Sequence, residues 1–190
     1  MNPVDCIKQE IESIRNMLSI LDIMSKKMDK GEMVKAGDLK KIINLLSVFV
    51  DQCHNKKEEM LLFPMLDSVS AEDKKHLNDL KEESMLGHEY MVELMDAVRQ
   101  YQGGDNSVMP KIKNLSHKFI DLETHHLDEE TQYLIPLLSA FVNKENQVQL
   151  EKDFETMDNE LFGKASLFQK AMSQIMGDLS RVYIGKDSHN

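Results

Sequence analysis

The feature that most constrains how this chain can fold is a repeat of polar residues inside an apolar pattern. His54, Glu58 and Pro64 recur 72 positions later as His126, Glu130 and Pro136, and the residues before each proline, Leu61-Leu62-Phe63 and Tyr133-Leu134-Ile135, stay in register. Around the first copy, Ile42, Ile43, Leu46 and Val50 fall at helical steps; around the second, Ile112, Leu115, Phe119, Leu122 and Leu137 do the same. Such spacing places side chains on one face of an α-helix. Both histidines and both glutamates lie on that face, where leucine or isoleucine is expected, and an ionised carboxylate buried without a partner is costly. The chain is thus constrained twice: to helices with inward faces, and to a chemical reason for polar groups on them.

The remaining periodicity predicts three more helices. Val4, Ile7, Ile11, Ile14, Leu18 and Leu21 mark the first, which ends near Gly31 and Gly37. Asp38 is the expected N-cap of the second, and Pro64 lies near its end. Ser70 followed by Asp73 resembles a capping box for the third, whose stripe is Leu77, Leu80, Ser84, His88, Met91, Met95 and Val98 before Gly103 and Gly104 stop it. The fourth opens between Asn106 and Pro110. A fifth is expected from about Asn146 to Tyr183, with Gly163 and Gly177 as its weak points. Short connections force neighbouring helices to run antiparallel. The expected fold is all-α: an up-down-up-down four-helix bundle over residues 1–143, an additional C-terminal helix over residues 144–185 packing on its outside, and a disordered tail at 186–190.

Composition narrows the partners. At 190 residues, 41% hydrophobic and 29% charged, the chain suits one domain with an appendage. Lys and Arg number 23 against 33 Asp and Glu, a formal charge of −10, and no basic run follows a phosphate backbone, so no nucleic acid partner is expected. No apolar run approaches the roughly 20 residues that cross a bilayer, and the opening residues carry neither a basic nor an apolar targeting region. A cytoplasmic location without membrane contact is the expectation. Cys6 and Cys53 form no CxxC, which argues against a disulfide framework or a thiolate zinc knot. The 14 methionines read as gap fillers between helices.

Positions i and i+4 of a helix are neighbours, so His54 points with Glu58, and His126 with Glu130. Imidazole nitrogen with carboxylate oxygen and no thiolate suits iron, manganese or zinc, and a carboxylate can bridge two ions. His88, on the third stripe, would add another nitrogen. His76, His117 and His189 lie in charged or polar surroundings and read as solvated, while His125 turns about 100° away from His126. A second bimetal pattern also fits: Asp51 and Glu123 each precede a histidine by three residues, the spacing used by ferritin-like di-iron bundles.

Over residues 4 to 141 the sequence resembles the hemerythrin-like (HHE cation-binding) family, four-helix bundles that hold a non-haem di-iron centre. The resemblance rests on CHNKKEEMLLFP from Cys53 to Pro64, HLDEETQYLIP from His126 to Pro136, and MLGHE around His88. It implies terminal imidazoles at His54, His88 and His126 and bridging carboxylates at Glu58 and Glu130. The first helix departs from the family: Ile11 stands where a metal-binding histidine is usual, and Glu10 beside it is expected to face sideways. The resemblance implies iron as cofactor and a small ligand such as dioxygen, nitric oxide or peroxide. The other expectation is a regulatory or structural bundle whose degenerate site holds one metal or none, its acidic surface and last helix suited to a homodimer.

Overall fold

The computed structural model describes residues 2–66, 69–163 and 165–185. Among them the chain is helical throughout, without strands, and forms six helices: α1 (Pro3–Asp29), α2 (36–65), α3 (Ala71–Gln102), α4 (109–141), α5 (Lys144–Phe162) and α6 (Ala165–Tyr183). The expected disordered tail at 186–190, His189 included, lies outside the described residues.

The helix starts follow from local chemistry. Asn2 accepts a hydrogen bond from the Val4 amide ahead of Pro3, whose missing N–H costs nothing in a first turn. Ser70 caps α3 by accepting from the Asp73 amide at 3.1 Å, and its hydroxyl donates to the Asp73 carboxylate at 2.7 Å. Helix α2 begins earlier than expected, at Ala36; Asp38 sits inside its first turn and pairs with Lys41 at 3.2 Å rather than capping. A single 3-10 turn at Asn106–Val108 leads into α4.

Helices α1 to α4 pack cyclically, each against its two neighbours. Cross-links fix their senses. Glu10 meets His54, Phe63 lies under Lys81, Glu83 meets His126 and Glu93 meets Lys111, while Arg15 bonds Asp128 and Asp29 bonds Lys113. Across α3–α4 and α1–α4, and across α2–α3 where Asp51 also meets His88, the residue numbers rise on one helix as they fall on the next, so these neighbours are antiparallel and α1 and α2 must be as well. The core runs between them through Ile7, Ile14, Leu21, Leu46, Leu62, Leu80, Met91, Phe119 and Leu138.

The expected fifth helix is two helices. Gly163, at φ 69°, ends α5 in a backbone region that suits glycine, and α6 restarts at Ala165. Asn143 opens α5 with a capping box closed by Asn146. Both helices pack on α1 and on α2, and against one another. No helix among the described residues is long and apolar enough to cross a membrane.

Candidate metal centre

The two prolines of the repeat shape the helices that carry the site. A proline ring collides with the carbonyl four residues earlier and offers no N–H to the ladder. For Pro64 and Pro136 those carbonyls belong to Met60 and Gln132. In both copies the helix widens there into a π-turn, over Glu58–Leu62 in α2 and Glu130–Leu134 in α4. Each π-turn opens on the glutamate of the repeat, so the proline and the glutamate belong to one local device. Segments of this kind are rare and concentrate at functional sites.

The two copies meet in the bundle interior. His54 is fully buried, with Nε2 3.1 Å from Glu130 Oε2, 3.2 Å from Glu130 Oε1 and 3.8 Å from Glu58 Oε1. His126 Nε2 lies 2.7 Å from Glu130 Oε1 but out of line for a hydrogen bond. Glu130 therefore stands between the two imidazoles. Their other nitrogens are held by carboxylates from the flanking helices: His54 Nδ1 by Glu10 Oε2 at 3.2 Å, and His126 Nδ1 by Glu83 Oε2 at 3.1 Å. A ring that donates from Nδ1 to a carboxylate turns its Nε2 lone pair inward, the arrangement that orients metal-binding histidines.

Several inward groups have no protein partner. Both oxygens of Glu58 and Oε2 of Glu123 are buried without a hydrogen bond. His54, Glu58 and Glu130 each offer one ligand atom within 4.8 Å of the others. Burial pushes Glu58 well above the usual carboxylate range, and the neighbouring Glu130 adds to this. For Glu130 the penalty of burial is outweighed by His54 and His126, which hold it low. Burial alone would lower both histidines, yet the surrounding carboxylates, Glu130 foremost, hold their pKa well above the ordinary value. Orphaned carboxylate oxygens facing imidazole nitrogen in a dry interior fit a divalent cation of the iron, manganese or zinc type.

Around His54 lies a second layer. Glu10 is buried and pairs with Lys57, whose ammonium is itself buried and reaches Asp158 of α5 at 2.7 Å while lying 5.2 Å over the Phe154 ring. Burial would raise Glu10, but His54 and Lys57 together bring it below its ordinary value. Both thiols approach the same carboxylate: Cys6 Sγ is 3.6 Å and Cys53 Sγ 4.0 Å from Glu10 Oε1. Cys53 Sγ also lies 3.5 Å from Asp158 Oδ1 and from Lys57 Nζ.

The structure thus brings together His54, Glu58, His126 and Glu130. It does not bring His88 to them. That side chain is 62% exposed on the outside of α3, with Nδ1 3.2 Å from Asp51 Oδ2. The inner line of α3 is Leu77, Leu80, Ser84, Gly87, Met91, Leu94 and Val98, so Gly87 holds the position that the pattern gave to His88, and Leu94 the one given to Met95. Ile11 is buried as core, but Glu10 faces inward rather than sideways. Of the two acidic residues three before a histidine, Asp51 turns out to His88 and Glu123 turns in. His125 is exposed and 3.4 Å from Glu83; His76 stacks on Tyr133; His117 pairs with Asp29. Glu83 and Lys57 carry no signal of their own, since an acidic or basic residue beside an inner position looks like any solvated neighbour.

No characterised protein and no solved structure matches the chain significantly. Residues 2–138 match the Hemerythrin HHE cation binding domain. That span covers α1 to α3 and α4 through Leu138, takes in both copies of the repeat and all four clustered residues, and leaves α5 and α6 outside it. The chain belongs to the hemerythrin HHE cation-binding domain family.

Proposed function

We propose that this chain is a non-haem iron protein whose His54, Glu58, His126 and Glu130 hold the metal, as a pair of ions or a single one, and present it to a small ligand such as dioxygen, nitric oxide or peroxide. The observation that carries this reading is the inward convergence of two imidazole Nε2 atoms on Glu130, with each Nδ1 tied to a carboxylate behind it. Glu130 sits between the two rings and suits a bridging role, and Glu58 offers two oxygens with no other use. When bound, the iron supplies the redox and ligand-binding chemistry. The protein's own part is to fix the rings through Glu10 and Glu83, to keep bulk water from the interior, and to leave the metal short of protein ligands on the α1 side, where Ile11 replaces a nitrogen donor. Open positions are what an incoming small ligand needs.

The experiment is metal analysis with absorption spectroscopy after anaerobic reconstitution with Fe(II), followed by exposure to dioxygen, nitric oxide or peroxide. One or two irons per chain, with a spectrum that changes on adding one of the three, is the expected result. A folded chain that takes up no iron would end this reading.

A second reading is a non-catalytic bundle with one metal or none, serving as a regulator or homodimer. It is favoured by the pairing of only two clustered imidazoles with buried Ile11 and exposed His88. A cytoplasmic location without nucleic acid belongs to both readings.

A further inference from the structure

We infer that Glu123 is a further metal ligand of this centre, entering from α4 on the α3 side, and that Gly87 exists to give its carboxylate room. The inference rests on the iron-binding reading above and names a donor that the hemerythrin-like pattern does not supply.

Glu123 is 2% exposed, and its Oε2 is buried without any hydrogen-bond partner. It precedes His126 by three residues, which sets the two side chains on one face of α4. Its main electrostatic neighbours are His126, Glu130, His54 and Asp51, which sets the carboxylate on the side of the cluster. Burial pushes it up to about 7, outweighing the pull of His126 and His54. Three buried carboxylates, Glu58, Glu123 and Glu130, then face two imidazoles, a set that a divalent cation balances.

Gly87 supplies the independent observation. It occupies the buried α3 position beside the cluster, and a Cβ built on it would lie 2.6 Å from Glu123 Oε1, closer than real carbon and oxygen atoms approach. Any other residue at 87 would drive the carboxylate away. Glycine is disfavoured against alanine inside a 32-residue helix, so its presence at this contact has a structural use. The volume that a side chain from α3 would fill is taken by an oxygen donor from α4.

The test uses the full chain with Glu123→Gln, Gly87→Ala and, as reference, Glu58→Gln, each checked for helicity and unfolding temperature. Anaerobic Fe(II) titration reads the number of ions and their affinity, and Co(II) substitution reads coordination through its visible absorption. Glu123→Gln is expected to lose one ion or at least tenfold in affinity. Gly87→Ala keeps every charge but displaces the carboxylate, so it should lower affinity and alter the Co(II) spectrum as well, which separates ligation from a distant charge effect. Metal binding as in wild type in Glu123→Gln, with loss in Glu58→Gln, would overturn the inference and leave the iron reading standing. Wild type that binds no metal overturns both. If Glu123→Gln fails to fold, Gly87→Ala alone decides, an unchanged Co(II) spectrum counting against ligation.

Discussion

The two copies of the repeat share His, Glu, Leu and Pro at the same spacing and differ in surroundings. In the α2 copy, His54 is fully buried and its supporting Glu10 is itself buried, neutralised by Lys57 and tied through it to Asp158 on α5. In the α4 copy, His126 leans on Glu83, which is 21% exposed and shared with the surface residue His125. Position by position, Lys57 answers to the partly exposed Glu129, and Asp51 to Glu123. The inward and outward turns of that last pair have a backbone cause. Helix α2 is a π-helix over Ser47–His54, whereas α4 is α-helical up to Glu129. A π-helix bonds i to i+5 and turns less per residue, so the position three before His54 falls further round the helix than the position three before His126. One motif therefore makes an arm locked by buried charge and an arm whose supporting carboxylate reaches the surface.

The largest effect expected is on the shared residue. Glu130→Ala should remove bound metal altogether and Glu58→Ala nearly so, because these carboxylates serve both arms, whereas His88→Ala should leave the metal count at the wild-type value. Inductively coupled plasma analysis of the three variants decides it, and equal loss in all three would mean that the glutamates are not shared between arms.

Next is the lysine that distinguishes the copies. Lys57→Met leaves the buried Glu10 with His54 as its charged partner and takes the lysine from the part-exposed Asp158, and should destabilise the chain by about 3 kcal/mol. Its counterpart Glu129→Gln should stay within about 0.5 kcal/mol of wild type. Urea unfolding of both compares them directly; similar midpoints would erase the contrast between the arms.

The supporting carboxylates should differ less. Glu10→Gln is expected to cost about 10- to 100-fold in metal affinity, and Glu83→Gln less, since water can reach its position. A larger loss for Glu83→Gln would invert the comparison.

The smallest effect concerns protons. The carboxylates keep His54 and His126 protonated above the ordinary histidine range, and burial keeps Glu58 protonated. A metal must displace those protons, so affinity should rise with pH between 6 and 8, by about tenfold per unit for each proton released. Isothermal titration in two buffers of different ionisation enthalpy counts them, and a pH-independent affinity would show that the groups are already deprotonated.

Much of this was readable from residues alone. The repeat located four of the clustered side chains, because histidine and glutamate on an apolar stripe have few other uses. His88 falls outside the cluster for a simple reason: a stripe is visible only through side chains, the inner residue of that turn is Gly87, and the apolar pattern passes through its neighbour instead. Glu10 reads as facing sideways because a carboxylate beside an apolar position is ordinarily solvated, and the partners that hold it inside, Lys57 and beyond it Asp158, lie 47 and 148 residues further on. The opposed turns of Asp51 and Glu123 were invisible to a 3.6-residue period, since a π-segment breaks that period without any marker in composition. The division of the last helix at Gly163 was signalled, but a glycine alone does not say whether a helix bends or stops.

The nest of sulfur atoms around Glu10 also sets how the protein will behave at the bench. Burial and the adjacent carboxylate push the Cys6 thiol up to about 12 and Cys53 upward too. At pH 8 the reactive anion of Cys6 is then only ~1 part in 10,000 of the folded protein. Iodoacetamide should thus leave the native chain almost untouched and modify both cysteines once α1 separates from α2. Alkylation followed by mass spectrometry becomes a clock for that opening, one that runs without any spectroscopic label.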